Sequence, residues 1–291
     1  MLKSNKKDNF IWACDMSQNT GEGQLANLFL NKEKIQINKN LKHKINNIIL
    51  MHKYLIPFVG LFFCWLNFFK KKQIYYINYL PLWNFVIFLL LPPKTIIGPI
   101  TGGAYFKSSF LRKYIFPILY LISEIIIHLR YNHIYFSTNL LKKNLFFFNK
   151  KKTNFNYVLN ALKKKAIKRK NIDFLIYYRN HENKKSLFPY FLVKKIISSG
   201  FSVNVVGDKL NLKGVKNYGK LSNQKINEYL SRTKFSISSG ENILSFFTLE
   251  CINNNVKILI DNKKKVEIKK LKKNFIKVNY NSDKPIKLFL K

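Results

Sequence analysis

The chain has 291 residues, 47% of them apolar, which suits one large domain or two ordinary ones and excludes wholesale disorder. Its 52 basic and 14 acidic residues leave a formal charge of +38, pointing to polyanions: nucleic acid, anionic lipid or phosphate-bearing substrates. AT-rich codons encode Lys, Asn, Ile, Phe and Tyr alike, so coding bias supplies part of that charge. The basic residues are spread over the whole chain without a recognised nucleic-acid motif, so no specific nucleic acid is expected. Cys14, Cys64 and Cys251 stand far apart, which argues against a disulfide framework or a zinc site and fits a reducing compartment. The opening MLKSNKKDNFIWACD lacks the apolar core of a signal peptide, so a cytoplasmic location is expected, peripheral on the inner face of the cell membrane.

In chain order, a strand is predicted over Phe10–Asp15, then a glycine-bearing loop, SQNTGEGQ, and a helix from about Leu25. Further strands are predicted over Gln73–Tyr79, over Thr95–Ile100 leading into Thr101-Gly102-Gly103, and over His133–Thr138. Between them lie two apolar runs, Tyr54–Phe69 and Tyr114–Leu129. Both are shorter than the ~20 apolar residues that cross a bilayer. Pro57 and Asn67 interrupt the first, and Pro117, Ser123 and Glu124 the second. They read as buried or interfacial helices. Lys70, Lys71 and Lys72 follow one run, and Arg112 and Lys113 precede the other, as suits a peripheral enzyme on an anionic leaflet. Two core helices with solvated lysine ends would look the same. Strands alternating with helices indicate parallel βαβ units.

Residues 150–171 are dense in lysine and poor in strand signal, and read as a solvated linker helix between domains 1–152 and 153–291. The alternation then restarts, with strands predicted over Asp173–Tyr178, Ser202–Gly207, Phe235–Ser239, Val256–Asp261 and Phe275–Tyr280. Helices are predicted over Phe188–Ser199, Asn223–Arg232 and Phe246–Asn253.

In an open α/β sheet, ligands bind outside the carboxyl ends of the strands. Arg179 and Lys184 follow the strand ending at Tyr178, and a guanidinium with an ammonium there can clamp a diphosphate. Gly207 ends the next strand and permits a tight turn close to a ligand. Tyr218-Gly219-Lys220-Leu221-Ser222 reads as a loop whose backbone could face a nucleobase, with Ser222 capping the helix that carries Glu228 and Tyr229. The helix beginning near Ser245 and Phe246 offers free N–H groups and a positive dipole end to a phosphate. Glu250, one turn inside, could accept hydrogen bonds from ribose hydroxyls, and Glu241 could meet the sugar.

The segment Asp173–Asp261 resembles the donor-binding domain of GT-B glycosyltransferases, above all the large retaining family with paired glutamates (glycosyltransferase family 4, group 1). Arg179 and Lys184 match its basic pair, Gly207 its strand-ending glycine, and Tyr218 to Ser222 its tyrosine-glycine-x-leucine-serine loop. Glu241 and Glu250 match its glutamate-helix-glutamate element, one residue farther apart than in the family. Leu244-Ser245-Phe246-Phe247 replaces the family's phenylalanine-glycine. The resemblance implies an α/β chain of two Rossmann-like domains facing a cleft, with the N-terminal one on the acceptor side. It implies that Glu241 contacts the transferred sugar as the catalytic residue and Glu250 the ribose. Gly21 and Gly23 match the glycine loop that approaches the donor from the first domain. The expected activity is hexosyl transfer from a nucleotide diphosphate sugar, bound as donor substrate with no permanent cofactor or metal, to a glycan or lipid-linked acceptor in polysaccharide biosynthesis. His128 and His133 are not expected to act in it. The alternative is a basic protein without catalytic function, held by nucleic acid or at a membrane surface.

Overall fold

Asn9–Ala13 (β1) and Gln73–Ile77 (β2) pair in parallel, Asn9 opposite Gln73 through Ala13 opposite Ile77, and Ile96–Ile97 (β3) continues the sheet. Isolated bridges from Pro81 to Thr101 and from Ile100 to Phe136 carry the parallel array towards Ile134–Tyr135 (β4), which pairs with Thr153–Asn154 (β5). The computed structural model describes residues 9–35, 56–101, 114–142, 145–147, 153–163, 165, 168–185, 187–238, 240 and 242–282, and the chain falls into two units, Met1–Asn160 and Ala161–Lys291.

In the first unit the strands are covered by Gly21–Lys32 (α1), Ile56–Phe69 (α2), Phe85–Leu90 (α3) and Phe116–Arg130 (α4). Thr20 caps α1 by accepting a hydrogen bond from the Gly23 N–H at 3.0 Å. Gly60 lets α2 lie directly on the Trp12 indole, because a Cβ there would come within 2.1 Å of the ring nitrogen. The core of the unit gathers Trp12, Cys64, Tyr76, Phe88, Ile97 and Tyr131. Among the described residues no helix is long and apolar enough to cross a membrane. Both apolar runs are amphipathic instead: each buries one side on the sheet and leaves the other exposed.

Glu124, on α4, is only 2% exposed, yet its carboxylate is satisfied. It accepts hydrogen bonds from the backbone N–H groups of Phe146 at 2.7 Å and Phe147 at 2.6 Å. Removing the acceptor loses both hydrogen bonds, and a bond to a charged group is worth at most about 1.5–3 kcal/mol at partly exposed donors. Glu124→Ala is therefore expected to cost the first unit about 2–3 kcal/mol in thermal unfolding, and Glu124→Gln, which keeps one oxygen, about half of that.

The second unit is a six-stranded, all-parallel sheet built from Ile172–Tyr178 (β6), Val203–Gly207 (β7), Val215–Gly219 (β8), Thr233–Ile237 (β9), Lys257–Asp261 (β10) and Phe275–Val278 (β11). Its spatial order is β11-β10-β9-β6-β7-β8. The chain therefore starts in the middle, walks outward through β7 and β8, and crosses back to lay β9, β10 and β11 on the other side. That is the Rossmann order, with its reversal between β6 and β9. Helices cover both faces. Phe174, Ile176, Val203 and Val205 pack with Leu192 and Val193 of Tyr190–Ser198 (α6), the single-turn Glu182–Lys185 (α5) preceding it. On the opposite face, Leu175, Val206 and Ile258 pack with Leu230 of Asn223–Ser231 (α7) and Cys251 of Phe246–Asn253 (α8). Alternation along β6 sends Phe174 and Ile176 to one face and Leu175 to the other, as a strand buried on both sides requires.

Two expectations are corrected. Tyr218 and Gly219 end strand β8 and do not belong to a loop. As an edge strand with an exposed, polar middle, VKNYG carries no apolar run to announce it. Among the described residues of 150–171 there is no linker helix: they contain β5 and a short 3-10 helix at Tyr157–Ala161. Tertiary contacts override helix propensity there. Tyr157 packs its ring against Phe29 at 5.6 Å and donates its hydroxyl to Glu33 at 3.1 Å. Further on, Lys170 donates to the carbonyl of Asn254 at the end of α8 at 2.7 Å, so a lysine read as solvated caps a helix terminus. Gly102, Gly103, Arg112 and Lys113 lie outside the described residues.

Candidate functional site

The topological reversal puts the carboxyl ends of β6 and β9 side by side, and the loops leaving them diverge to opposite faces of the sheet. At the end of β6, Arg179 is exposed. Beside it, Gly207 closes β7 with φ +104, and a Cβ there would stand 2.2 Å from the carbonyl oxygen of Tyr178. Glycine is thus required for β7 to end flush against β6. Asp208 then ties the strand ends together: its N–H donates to Tyr178 at 2.9 Å, and its carboxylate accepts the Asn180 N–H at 2.8 Å. Lys220, beyond β8, stands 3.8 Å from the same carboxylate. Gly219 ends β8 with φ +71 and open space where a Cβ would be, so its conformation, not crowding, calls for glycine.

On the β9 side, Gly240 approaches the turn that follows α5 so closely that a Cβ would lie 2.4 Å from the Leu187 carbonyl oxygen. The Leu187 N–H in turn donates to the Lys184 carbonyl at 3.3 Å. The Lys184 turn and the loop leaving β9 are therefore in contact. Lys264, three residues beyond β10, donates its ammonium to the Gly240 carbonyl, and burial lowers its pKa from the ordinary lysine value. Ser245 caps α8, accepting the Thr248 N–H at 3.2 Å. Phe246 is half-buried in the first turn, and Phe247 stacks on Tyr177 of β6 with ring centroids 5.4 Å apart. Tyr177 is 39% exposed. Burial raises its hydroxyl pKa, the Arg179 charge opposing and the Asp208 charge adding to the shift.

Arg179, Gly207, Ser245 and Phe246 thus meet at one edge, with the Lys184 turn in contact with the loop from β9. Glu241 lies outside the described residues. Gly219 stands two strands away from β6. Glu250 is half-buried and ion-paired to Lys165 at 2.5 Å, and Asn227 of α7 accepts from the same ammonium at 2.5 Å. Sequence reasoning missed Lys264, Tyr177, Asp208 and Lys165. Lys264 was legible as a cation just past a strand end, whereas nothing distinguishes Lys165 within its lysine run.

In the first unit the expected glycine loop is corrected: Gly21 and Gly23 lie in the first turn of α1, where a Cβ on Gly23 would strike the Ser17 backbone at 2.0 Å, while Gly21 opens on free space. An acid pair not foreseen from the sequence stands here. Asp15 accepts the Ser17 N–H at 2.7 Å and the Thr20 hydroxyl at 2.5 Å. Asn78 joins the ends of β1 and β2, accepting the Cys14 N–H at 2.9 Å and donating to the Asp15 carbonyl. Glu22 has its pKa raised, chiefly by burial and further by Asp15, with hydrogen bonds from the Thr101 hydroxyl and the Tyr79 backbone opposing. Its Oε2 has no partner among the described residues. A carboxyl held up in this way is better matched to proton transfer near neutral pH than a solvated one. His128 turns Nδ1 to the Glu124 carbonyl at 2.9 Å, and His133 is exposed.

No protein-family model matches the chain. No curated protein matches it either. Among solved structures, E. coli heptosyltransferase WaaC with ADP-2-deoxy-2-fluoro heptose aligns over 95% of this chain and 84% of its own, at 10% identity and a TM-score of 0.34. E. coli heptosyltransferase WaaC with ADP aligns over 69% of this chain and 67% of its own, at 12% identity and a TM-score of 0.28. Scores of this size do not establish a shared fold. The α/β class and the Rossmann strand order of the second unit rest on the chain's own topology.

Proposed function

We propose that the chain is a glycosyltransferase, holding a nucleotide diphosphate sugar on its second unit and moving the sugar to a glycan or lipid-linked acceptor. The observation that supports this best is the convergence of Arg179, the Lys184 turn, Lys264 and the capped amino end of α8 at the strand-order reversal between β6 and β9. In the reaction, the bond from the sugar's anomeric carbon to the phosphate oxygen breaks, and its electron pair stays on the diphosphate. The acceptor oxygen bonds to that carbon and gives up its proton. Arg179, Lys264 and the α8 N–H groups would stabilise the charge growing on the leaving diphosphate, a contribution of about 3 kcal/mol per well-placed donor. Glu241 is the acid proposed to meet the sugar, and the acceptor proton leaves to solvent. Hexosyl as the transferred group, membership of the paired-glutamate family and a role in polysaccharide biosynthesis belong to the same proposal, on the residues matched in the sequence.

The test is binding and hydrolysis of a panel of UDP-, GDP- and ADP-sugars. Micromolar binding of one nucleotide series with slow release of free sugar is expected; no binding across the panel would refute the reading. Glu250 has its own check. If its carboxylate meets the ribose as well as Lys165, Glu250→Gln weakens nucleotides about tenfold and 2′,3′-dideoxynucleotides hardly at all. Equal weakening of both would assign Glu250 to holding Lys165 alone.

A further inference from the structure

We infer that the outer faces of α2 and α4 in the first unit form one docking surface for an anionic phospholipid bilayer, an inference that does not rest on glycosyl transfer. On α2, Pro57, Gly60, Leu61 and Cys64 are turned to the sheet. Phe58, Phe62, Leu66 and Phe69 fall within one ~80° arc on the opposite side, given 100° per residue, and all four are exposed, Phe62 by 62% and Phe69 by 72%. On α4, Ile118, Ile125 and Leu129 form a second stripe, with Leu129 81% exposed. The stripes are joined through α3. Trp65 of α2 donates its indole N–H to the Leu90 carbonyl at 2.7 Å. Arg130 of α4 donates to the carbonyls of Leu89 and Leu91. Leu89 and Leu90 are themselves exposed. The apolar surface therefore runs from Phe69 through Trp65 and Leu90 to Leu129.

Contiguous apolar surface on this scale marks an interaction site. The rim decides its partner. Lys70 and Lys71 follow Phe69 directly and are exposed, as is Lys94. Lys94 stands beside them, because Gln73 donates its side-chain amide to the Lys94 carbonyl at 2.9 Å. Between Glu33 and Glu124 the sequence holds no acid at all. An apolar face edged by cations and free of acids is complementary to acyl chains beneath anionic headgroups. Among the described residues no helix is long and apolar enough to span, so the stripes would lie in the plane of the interface.

The test uses the full chain with vesicles of phosphatidylglycerol and phosphatidylcholine, and of phosphatidylcholine alone. Binding to the first and not the second is expected, with Trp65 quenched by brominated acyl chains. Phe62→Ser/Phe69→Ser/Leu129→Ser should weaken partitioning by tenfold or more at unchanged circular dichroism, since all three side chains are exposed. Lys70→Gln/Lys71→Gln/Lys94→Gln should weaken it by about fivefold per lysine. Lys213→Gln/Lys257→Gln/Lys269→Gln removes the same charge from the second unit and should have a much smaller effect. The inference is overturned if the apolar triple variant binds like the wild type, if the two lysine triples are equivalent, or if Trp65 is not quenched. It is also overturned if the face instead joins two copies of the chain, seen as a dimer in sedimentation velocity that the apolar triple abolishes, with no vesicle binding.

Discussion

Replacing Arg179 with alanine is expected to weaken nucleoside diphosphate binding by about 10- to 100-fold, the worth of one hydrogen bond to a charged group. Arg179 is exposed at the end of the first-laid strand, where the order of the sheet reverses. Lys264→Ala should lower affinity by a comparable factor, because its ammonium already reaches the carbonyl of Gly240 in the loop that leads to α8. A chain carrying +38 attracts any phosphate weakly, so charge alone must be separated from placement. Lys257→Ala provides that control. Lys257 begins β10, at the amino end of the strand beyond which Lys264 lies, and its ammonium donates to the Lys273 carbonyl at 2.9 Å. Calorimetric titration with UDP and ADP at fixed ionic strength should show large losses for Arg179→Ala and Lys264→Ala and almost none for Lys257→Ala. Equal losses in all three would mean that phosphate is attracted by diffuse charge and that no cradle exists at this edge.

Gly207→Ala is expected to destabilise the second unit by about 3 kcal/mol, from a disfavoured backbone region plus a steric clash. The residue has φ +104, and the added methyl would sit 2.2 Å from the Tyr178 carbonyl oxygen. For a unit of this size that corresponds to a fall in melting temperature of roughly 10 °C. Gly219→Ala is the matched comparison. It has positive φ too, but open space around the new carbon, so about 1 kcal/mol is expected. Differential scanning calorimetry of both variants tests the difference. The same substitution should reach the site, because relieving the clash moves β7 away from β6 and breaks the Asp208 bonds to Tyr178 and Asn180. Nucleotide affinity should therefore fall more in Gly207→Ala than in Gly219→Ala. If the two variants melt together, the close approach of the two strand ends is wrong.

How far the site could be read in advance differs from residue to residue. Gly207 was recognisable because a glycine ending an apolar strand has few other uses. Ser245 was recognisable because a hydroxyl before FFTLECIN is an N-cap signal, and α8 has the expected bounds, Phe246–Asn253. Glu250 was read correctly as lying one turn into that helix, yet its neighbour was not foreseeable. Lys165 comes from a run, residues 163–170, in which five of eight residues are lysine, and which of them reaches an acid is settled by packing. Gly23 carried a ligand role in the sequence, whereas the fold already accounts for it by the Ser17 backbone.

Local order was written into the chain wherever a segment's own chemistry is sufficient. Buried parallel strands are apolar throughout, and turns and caps need particular residues, so the alternation of strand and helix and the α/β class follow from residues close together along the backbone. What could not be read there depends on residues far apart. The position of β6 between β7 and β9, the weak edge strand β8, the meeting of Lys264 with Gly240 and the joining of two apolar stripes through Trp65 and Arg130 all arise when distant segments compete for the same neighbours. Periodicity records which side of an element is apolar; it does not record which partner covers that side, or whether any does.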